Sequence, residues 1–166
     1  DEALLVVVLI TDEEDEGEHG DEEELENTLG YLANSSAESD GATIGASFIT
    51  DSGFIGFAVS RLESDYGLPA GNHEEEGEVE FVRINLEKTR YDLRGEHRFT
   101  DNFFDTVRAS ISYTDYEHGE VEFFEDGDAE VCTLYANKGT EGRITISHSH
   151  HQGWTGVWGI QFTQSD

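Results

Sequence analysis

The chain reads as an all-β protein, an antiparallel up-and-down meander forming part of a transmembrane β-barrel. Three observations predict this. Apolar and polar residues alternate with period two through most segments after Ala42, and a strand sends successive side chains to opposite faces. The connections between those segments alternate short and long, the long ones being acidic. Composition leans the same way, with 18 Gly, one Pro and no Met in 166 residues. One domain is the default at this length. We expect a single partial barrel domain, with an N-terminal strand over 1–10, an acidic loop over 11–33 and a six-strand meander over 34–166.

The first element is "ALLVVVLI", residues 3–10. It is far shorter than the roughly 20 apolar residues a transmembrane helix needs, so it predicts a strand. It follows Asp1 and Glu2 rather than a basic region, and no small-residue cleavage site comes after it, which is unlike a signal peptide. With no initiator Met, the chain looks like a mature or excised piece. The run "TDEEDEGEHGDEEELEN" follows, where self-repulsion and the lack of apolar residues predict an exposed loop.

From Ala42 onward Ala42, Ile44, Ala46 and Phe48 alternate with Thr43, Gly45 and Ser47. A tight turn at "TDSGF" leads into "FIGFAVSRLESDY". This strand fits the alternation least well, because its nominally inner face would carry Ile55, Phe57 and Val59. A long loop over 67–78 precedes the clearest strand: Lys88, Arg90, Asp92, Arg94, Glu96 and Arg98 are all charged, and Thr89, Tyr91, Leu93, Gly95, His97 and Phe99 lie between them. Such a strand separates two different solvents. Residues 88–99 are about the length of a tilted membrane-crossing strand, with the ionic face toward a lumen and the other toward lipid.

"TDNFFD" is a compact connection to a strand with Val107, Ala109, Ile111 and Tyr113 on one face. A second acidic loop is expected over 119–130. The chain returns through "VCTLYANKGTEGRITISH", turns at "SHHQG", and ends on a strand with Trp154, Gly156, Trp158, Ile160 and Phe162 on one face. In a meander every second connection lies at the same end. The turns near Ser52, Asn102 and Gln152 therefore share one rim, and the acidic loops near Asn72 and Glu125 the other, an asymmetry of outer-membrane barrels. Phe48, Phe54, Phe99, Phe103, Phe104 and Trp154 cluster beside the short turns, as an interfacial girdle would.

The formal net charge of -29 argues against nucleic acid, whose phosphates need a basic surface; cations are the natural counterpart. Cys132 stands alone, so no internal disulfide is possible, and it is expected to behave as a small apolar residue.

The strings "FIGFAVSRLESDYGLPAGNHEEE", "VRINLEKTRYDLRGEHRF", "ISYTDYEHGEVE", "LYANKGTEGRITISH" and "GWTGVWGIQFTQSD", in that order, resemble the barrel of TonB-dependent outer-membrane receptors. The likeness runs from about Gly30 to Asp166 and is greatest to the branch with His- and acid-rich outer loops associated with zinc uptake. It implies a bacterial outer-membrane barrel of 22 strands closed around a plug, importing a scarce ligand with energy from the inner membrane. Nothing here looks like the plug or its TonB box, so coupling to the TonB system would require a plug this chain does not contain. Only six or seven strands are present, and Asp166 stands where such barrels carry a terminal aromatic.

Three groups fall on the loops assigned to the acidic rim: His73 with Glu74, Glu75 and Glu76; His118 with Glu117 and Glu120; and His19 among its carboxylates. Imidazole with carboxylate suits Zn2+, and carboxylates alone suit Ca2+. Neither has a spacing that fixes geometry, and solvated acidic loops with incidental histidines are the plain alternative. "SHSHH", ending at His151, is denser in histidine but lies at the opposite rim. No catalytic constellation is evident, since Ser147 and Ser149 beside histidines do not make a triad. We expect a non-enzymatic receptor portion in contact with outer-membrane lipid and a divalent metal. The rivals are a soluble acidic β-sandwich acting as a calcium-dependent binding or adhesion module, and an excised or engineered barrel piece without activity of its own.

Overall fold

Seven strands follow one another in a computed structural model that describes residues 3–15, 34–68, 79–100, 103–124, 127–151 and 153–166. They are β1 (Ala3–Asp15), β2 (Ala37–Thr50), β3 (Gly53–Leu68), β4 (Val79–Arg98), β5 (Phe104–Phe124), β6 (Ala129–His151) and β7 (Trp154–Ser165). All pair antiparallel in one sheet of order β1-β2-β3-β4-β5-β6-β7. The sheet is open, and β1 and β7 are its edges. No helix among the described residues is long and apolar enough to cross a membrane, which says nothing of strands. This is the all-β antiparallel meander the alternation predicts. Consecutive connections necessarily fall at opposite ends, so the β2–β3, β4–β5 and β6–β7 turns share one rim.

Register gives the sheet two faces that differ along their height. On the outer face Ala46, Phe57, Leu93, Ile111, Gly142 and Phe162 form one row across β2 to β7. The neighbouring row toward the short turns is Phe48, Ile55, Gly95, Ala109, Ile144 and Ile160. Ile55, Phe57 and Val59 thus sit with Tyr91 and Leu93 on the apolar face, which corrects their assignment to the inner one. Phe54 moves the other way: it pairs with Glu96 on the ionic face and is not part of an outer girdle.

Toward the other rim the outer face changes at one level. Ala42, Arg61, Thr89, Asp115 and Lys138 form one row, and above it come Asp40, Glu63, Glu87 and Glu117. On β4 the apolar stretch therefore begins at Tyr91, three residues later than the alternation of charges suggests. From Tyr91 to Phe99 is about 27 Å along a strand, or about 20 Å at a tilt near 40°, close to the roughly 25 Å apolar band of outer-membrane barrels.

The inner face changes at the same level in the opposite sense. Below it are Arg90, Asp92, Arg94, Glu96, Arg108, Glu141 and Arg143; above it are Leu62, Tyr66, Ile84, Leu86, Tyr116 and Tyr135. Ile84 is the one buried hydrophobic side chain among the described residues. Among the described residues the core is therefore in this upper part. Below it the outer apolar side chains are open, with Phe57 49%, Leu93 41%, Ile111 46% and Ile160 70% exposed.

The acidic segment expected as a loop over 119–130 is mostly strand, since β5 runs to Phe124 and β6 begins at Ala129. Alternation persists inside it: Val121 pairs with Val131 on one face and Glu122 with Glu130 on the other. Phe123 also stacks on Phe81, with ring centroids 4.6 Å apart. Apolar cross-strand pairs of this kind outweigh the repulsion of exposed carboxylates. The β1 edge departs from the two-faced pattern. Leu5, Val7 and Leu9 on its inner side are 52%, 55% and 59% exposed, as open as Leu4, Val6 and Val8 on the outer side.

Candidate functional site at the acidic rim

His118 lies on β5, not on a loop, and so does Glu120. Both side chains point to the inner face, where register sets Leu86, His118 and Tyr135 in one row and Lys88, Tyr116 and Asn137 in the next. The imidazole stacks on Tyr135 at a centroid separation of 5.2 Å and meets Tyr116 edge-on at 5.5 Å. Nδ1 of His118 is 3.0 Å from the Tyr116 hydroxyl. Burial holds that phenol above its ordinary value, with Tyr66 and Tyr135 adding to the effect; its oxygen can accept from Nδ1–H in the tautomer that carries the proton there. This fixes the ring and leaves Nε2 as its ligating nitrogen, the arrangement in which an outer partner orients a metal-binding histidine.

The described residues do not complete a metal centre around it. No group of three or more His, Cys, Asp or Glu among them could hold an ion. His73, Glu74, Glu75, Glu76 and His19 lie outside the described residues, so the expected rim set is represented here by His118 and Glu120 alone. Cys132 is exposed rather than a core residue, and its Sγ is 3.5 Å from the Glu120 carbonyl oxygen. Its thiol is held above the ordinary value by desolvation and by Glu122, which keeps it protonated and a poor ligand. The "SHSHH" segment belongs to the end of β6 rather than to a turn. His148 there stacks on Phe103, centroids 5.1 Å apart.

Around the rim, ion pairs and hydrogen bonds tie the strand ends together. Arg83 Nε donates to Asp65 at 2.6 Å and its Nη1 to Ser36 at 3.0 Å. Asn34, with φ 54, donates from Nδ2 to the carbonyls of Leu68 and Val82 at 2.8 and 2.7 Å. Arg61 meets Glu63 at 2.6 Å and Glu87 at 3.4 Å, and Lys138 meets Asp115 at 3.2 Å.

Lower on the inner face the sheet forms a concave trough of about 670 Å3, whose charged lining is Arg90, Asp92, Arg94, Glu96, Arg108, Glu141 and Arg143. Glu96, 9% exposed, takes Arg98 and Arg108 at 2.6 Å each. Asp92 takes Arg90 at 2.9 Å and Arg94 at 3.5 Å. Sequence reasoning found the charged face of β4 but missed the trough, because Arg143 is far away in sequence and only register brings it beside β4. It also missed Tyr135 for the same reason, although the i, i+2 spacing of Tyr116 and His118 was legible. No protein-family model matches the chain.

Proposed function

We propose that this chain is part of a bacterial outer-membrane receptor barrel of the TonB-dependent kind, whose acidic rim collects a divalent cation, zinc before calcium. One observation carries the reading: on β2 to β5 the outer face is apolar below a single level and charged in the rows next above it, Asp40, Glu63, Glu87 and Glu117, while on β3 to β5 the inner face carries Leu62, Leu86 and Tyr116 above that level and its ionic side chains below it. A soluble sheet has no reason to keep an exposed apolar band opposite an ionic face, whereas a wall between lipid and an aqueous lumen requires both. The rival sandwich needs two facing sheets, and the described strands form one. Transport itself would fall to the complete receptor, with the plug through which such receptors engage the TonB system.

At the rim, crowded carboxylates repel one another, so a bound cation relieves that repulsion while gaining ligands. The favoured set is His73 with Glu74, Glu75 and Glu76, joined by His118 Nε2, Glu120 or His19. Zinc titrated by calorimetry into the detergent-held chain and a His73→Ala, His118→Ala variant tests this. We expect at least a tenfold weaker affinity in the variant, and weaker binding in the parent at pH 5.5 than at pH 7.5, because a ligating imidazole must be neutral. Unchanged affinity in the variant would leave a diffuse acidic surface. Binding of Ca2+ by carboxylates alone would persist until nearer pH 4.

A further inference from the structure

The chain is strongly acidic, yet its basic residues are not spread over it. Lys88, Arg90, Arg94, Arg98, Arg108 and Arg143, six of the nine Lys and Arg, share the inner face. In the trough four arginines face three carboxylates, and the pairing among them is uneven. Glu96 is shared by Arg98 and Arg108, and Asp92 is held closely by Arg90, leaving Arg94 at 3.5 Å with its side chain 67% exposed. The Arg143 guanidinium has no ion pair or hydrogen-bond partner among the described residues, although Glu141 lies two positions away on the same face.

Register then sets the geometry. Arg94, Ser110, Arg143 and Gln161 form one row across β4, β5, β6 and β7. Arg94 and Arg143 therefore flank Ser110 from strands about 10 Å apart, two guanidinium forks with a short hydroxyl between them. Ser112, Thr145 and Gln161 add uncharged hydrogen-bonding groups to the same lining. A cavity of this size suits a small molecule, and two planar forks suit carboxylate groups that each accept two parallel bonds.

We propose that this trough is a binding site for a small polycarboxylate anion, held between Arg94 and Arg143 over Ser110. The site uses none of the rim residues, so it stands or falls separately from metal binding there. The negative chain around it acts as a filter, because only an anion compact enough to sit among the arginines escapes the surrounding carboxylates.

Citrate titrated by calorimetry into the metal-free, detergent-held chain is the direct probe. Arg94→Ala with Arg143→Ala should weaken citrate at least tenfold, and Glu141→Gln should tighten it by removing the competing carboxylate. The His73→Ala, His118→Ala variant should bind citrate as the parent does. The gain in Glu141→Gln protects the test from a double-alanine chain that merely misfolds. No citrate binding by the parent at 10 mM, equal affinity in all variants, or tighter binding of a long polyglutamate than of citrate would overturn the proposal, the last in favour of an acidic protein segment as occupant.

Discussion

The lower and upper halves of β3, β4 and β5 are built from the same strands, in a register that runs unbroken from Phe81 on β4 through the level where they meet, yet they obey opposite rules. In the lower half Tyr91, Leu93 and Ile111 face outward and Arg94, Ser110 and Arg108 inward. In the upper half Glu63, Glu87 and Glu117 face outward while Leu62, Leu86 and Tyr116 face inward. Period-two alternation continues through the change; only its phase relative to polarity reverses. The upper half follows the logic of a water-soluble sheet, apolar side inward and charge outward. The lower half follows that of a barrel wall, apolar side to lipid and charge to the lumen. On the barrel-wall reading proposed above, what differs between the halves is the surrounding solvent, and the switch at the row of Ala42, Arg61, Thr89, Asp115 and Lys138 is where one would give way to the other.

Charge placed on the wrong side of either half should therefore be costly, and the same charge in the other half should not. The largest effect is expected at Ile84, the buried side chain of the upper half. Ile84→Asp should lose at least the roughly 2–5 kcal/mol of an Ile to Ala truncation, whereas Ser110→Asp on the inner face of the lower half should be tolerated. Guanidinium unfolding in lipid vesicles reads both. Next comes the outer face, where Leu93→Arg should cost about 2–4 kcal/mol in a bilayer and Glu87→Arg, six residues up the same face, about zero. Equal costs at the two positions would remove the distinction between the halves.

These contrasts also explain what the sequence made legible. The lower half of β4 announces itself, because charge and apolarity alternate without interruption from Lys88 to Phe99. The upper half of β5 does not. There Glu117, Glu120 and Glu122 read as loop, since carboxylates crowd the segment and the apolar partners that hold it, Val131 for Val121 and Phe81 for Phe123, come from other strands. The phase of β3 was misread for a related reason: Phe54 looked like an interfacial aromatic, and only the pairing with Glu96 puts it on the ionic face and Ile55 on the other. For the rim, sequence named His118 but could not show that it sits on a strand with its Nδ1 engaged by Tyr116.

The smallest expected effect lies at the boundary row. The Asp115 carboxylate, 3.2 Å away, raises the Lys138 amine above its ordinary value, by hydrogen bonding first and by charge second. A group whose value is raised on folding contributes fully below its unfolded value and loses that contribution as pH rises through the folded one. The pair should therefore be unaffected at neutral pH and should weaken only in the alkaline range above 10.5, on an exposed pair of modest worth. Lys138→Gln should flatten the alkaline limb of a stability profile and leave the rest unchanged.

The switch of faces is tested most directly by a spin-label scan along β5 in a bilayer. Cys132 is replaced by Ser, single cysteines are introduced from position 107 to 118, and each nitroxide is read for collisions with oxygen, which concentrates in lipid, and with a nickel chelate, which stays in water. Labels at 107, 109, 111 and 113 should favour oxygen and those at 108, 110, 112 and 114 the chelate, with the oxygen preference of odd positions ending at 115. Odd positions from 107 to 113 that collide with the chelate as often as their even neighbours would contradict a lipid-facing band and, with it, the reading of this sheet as a barrel wall.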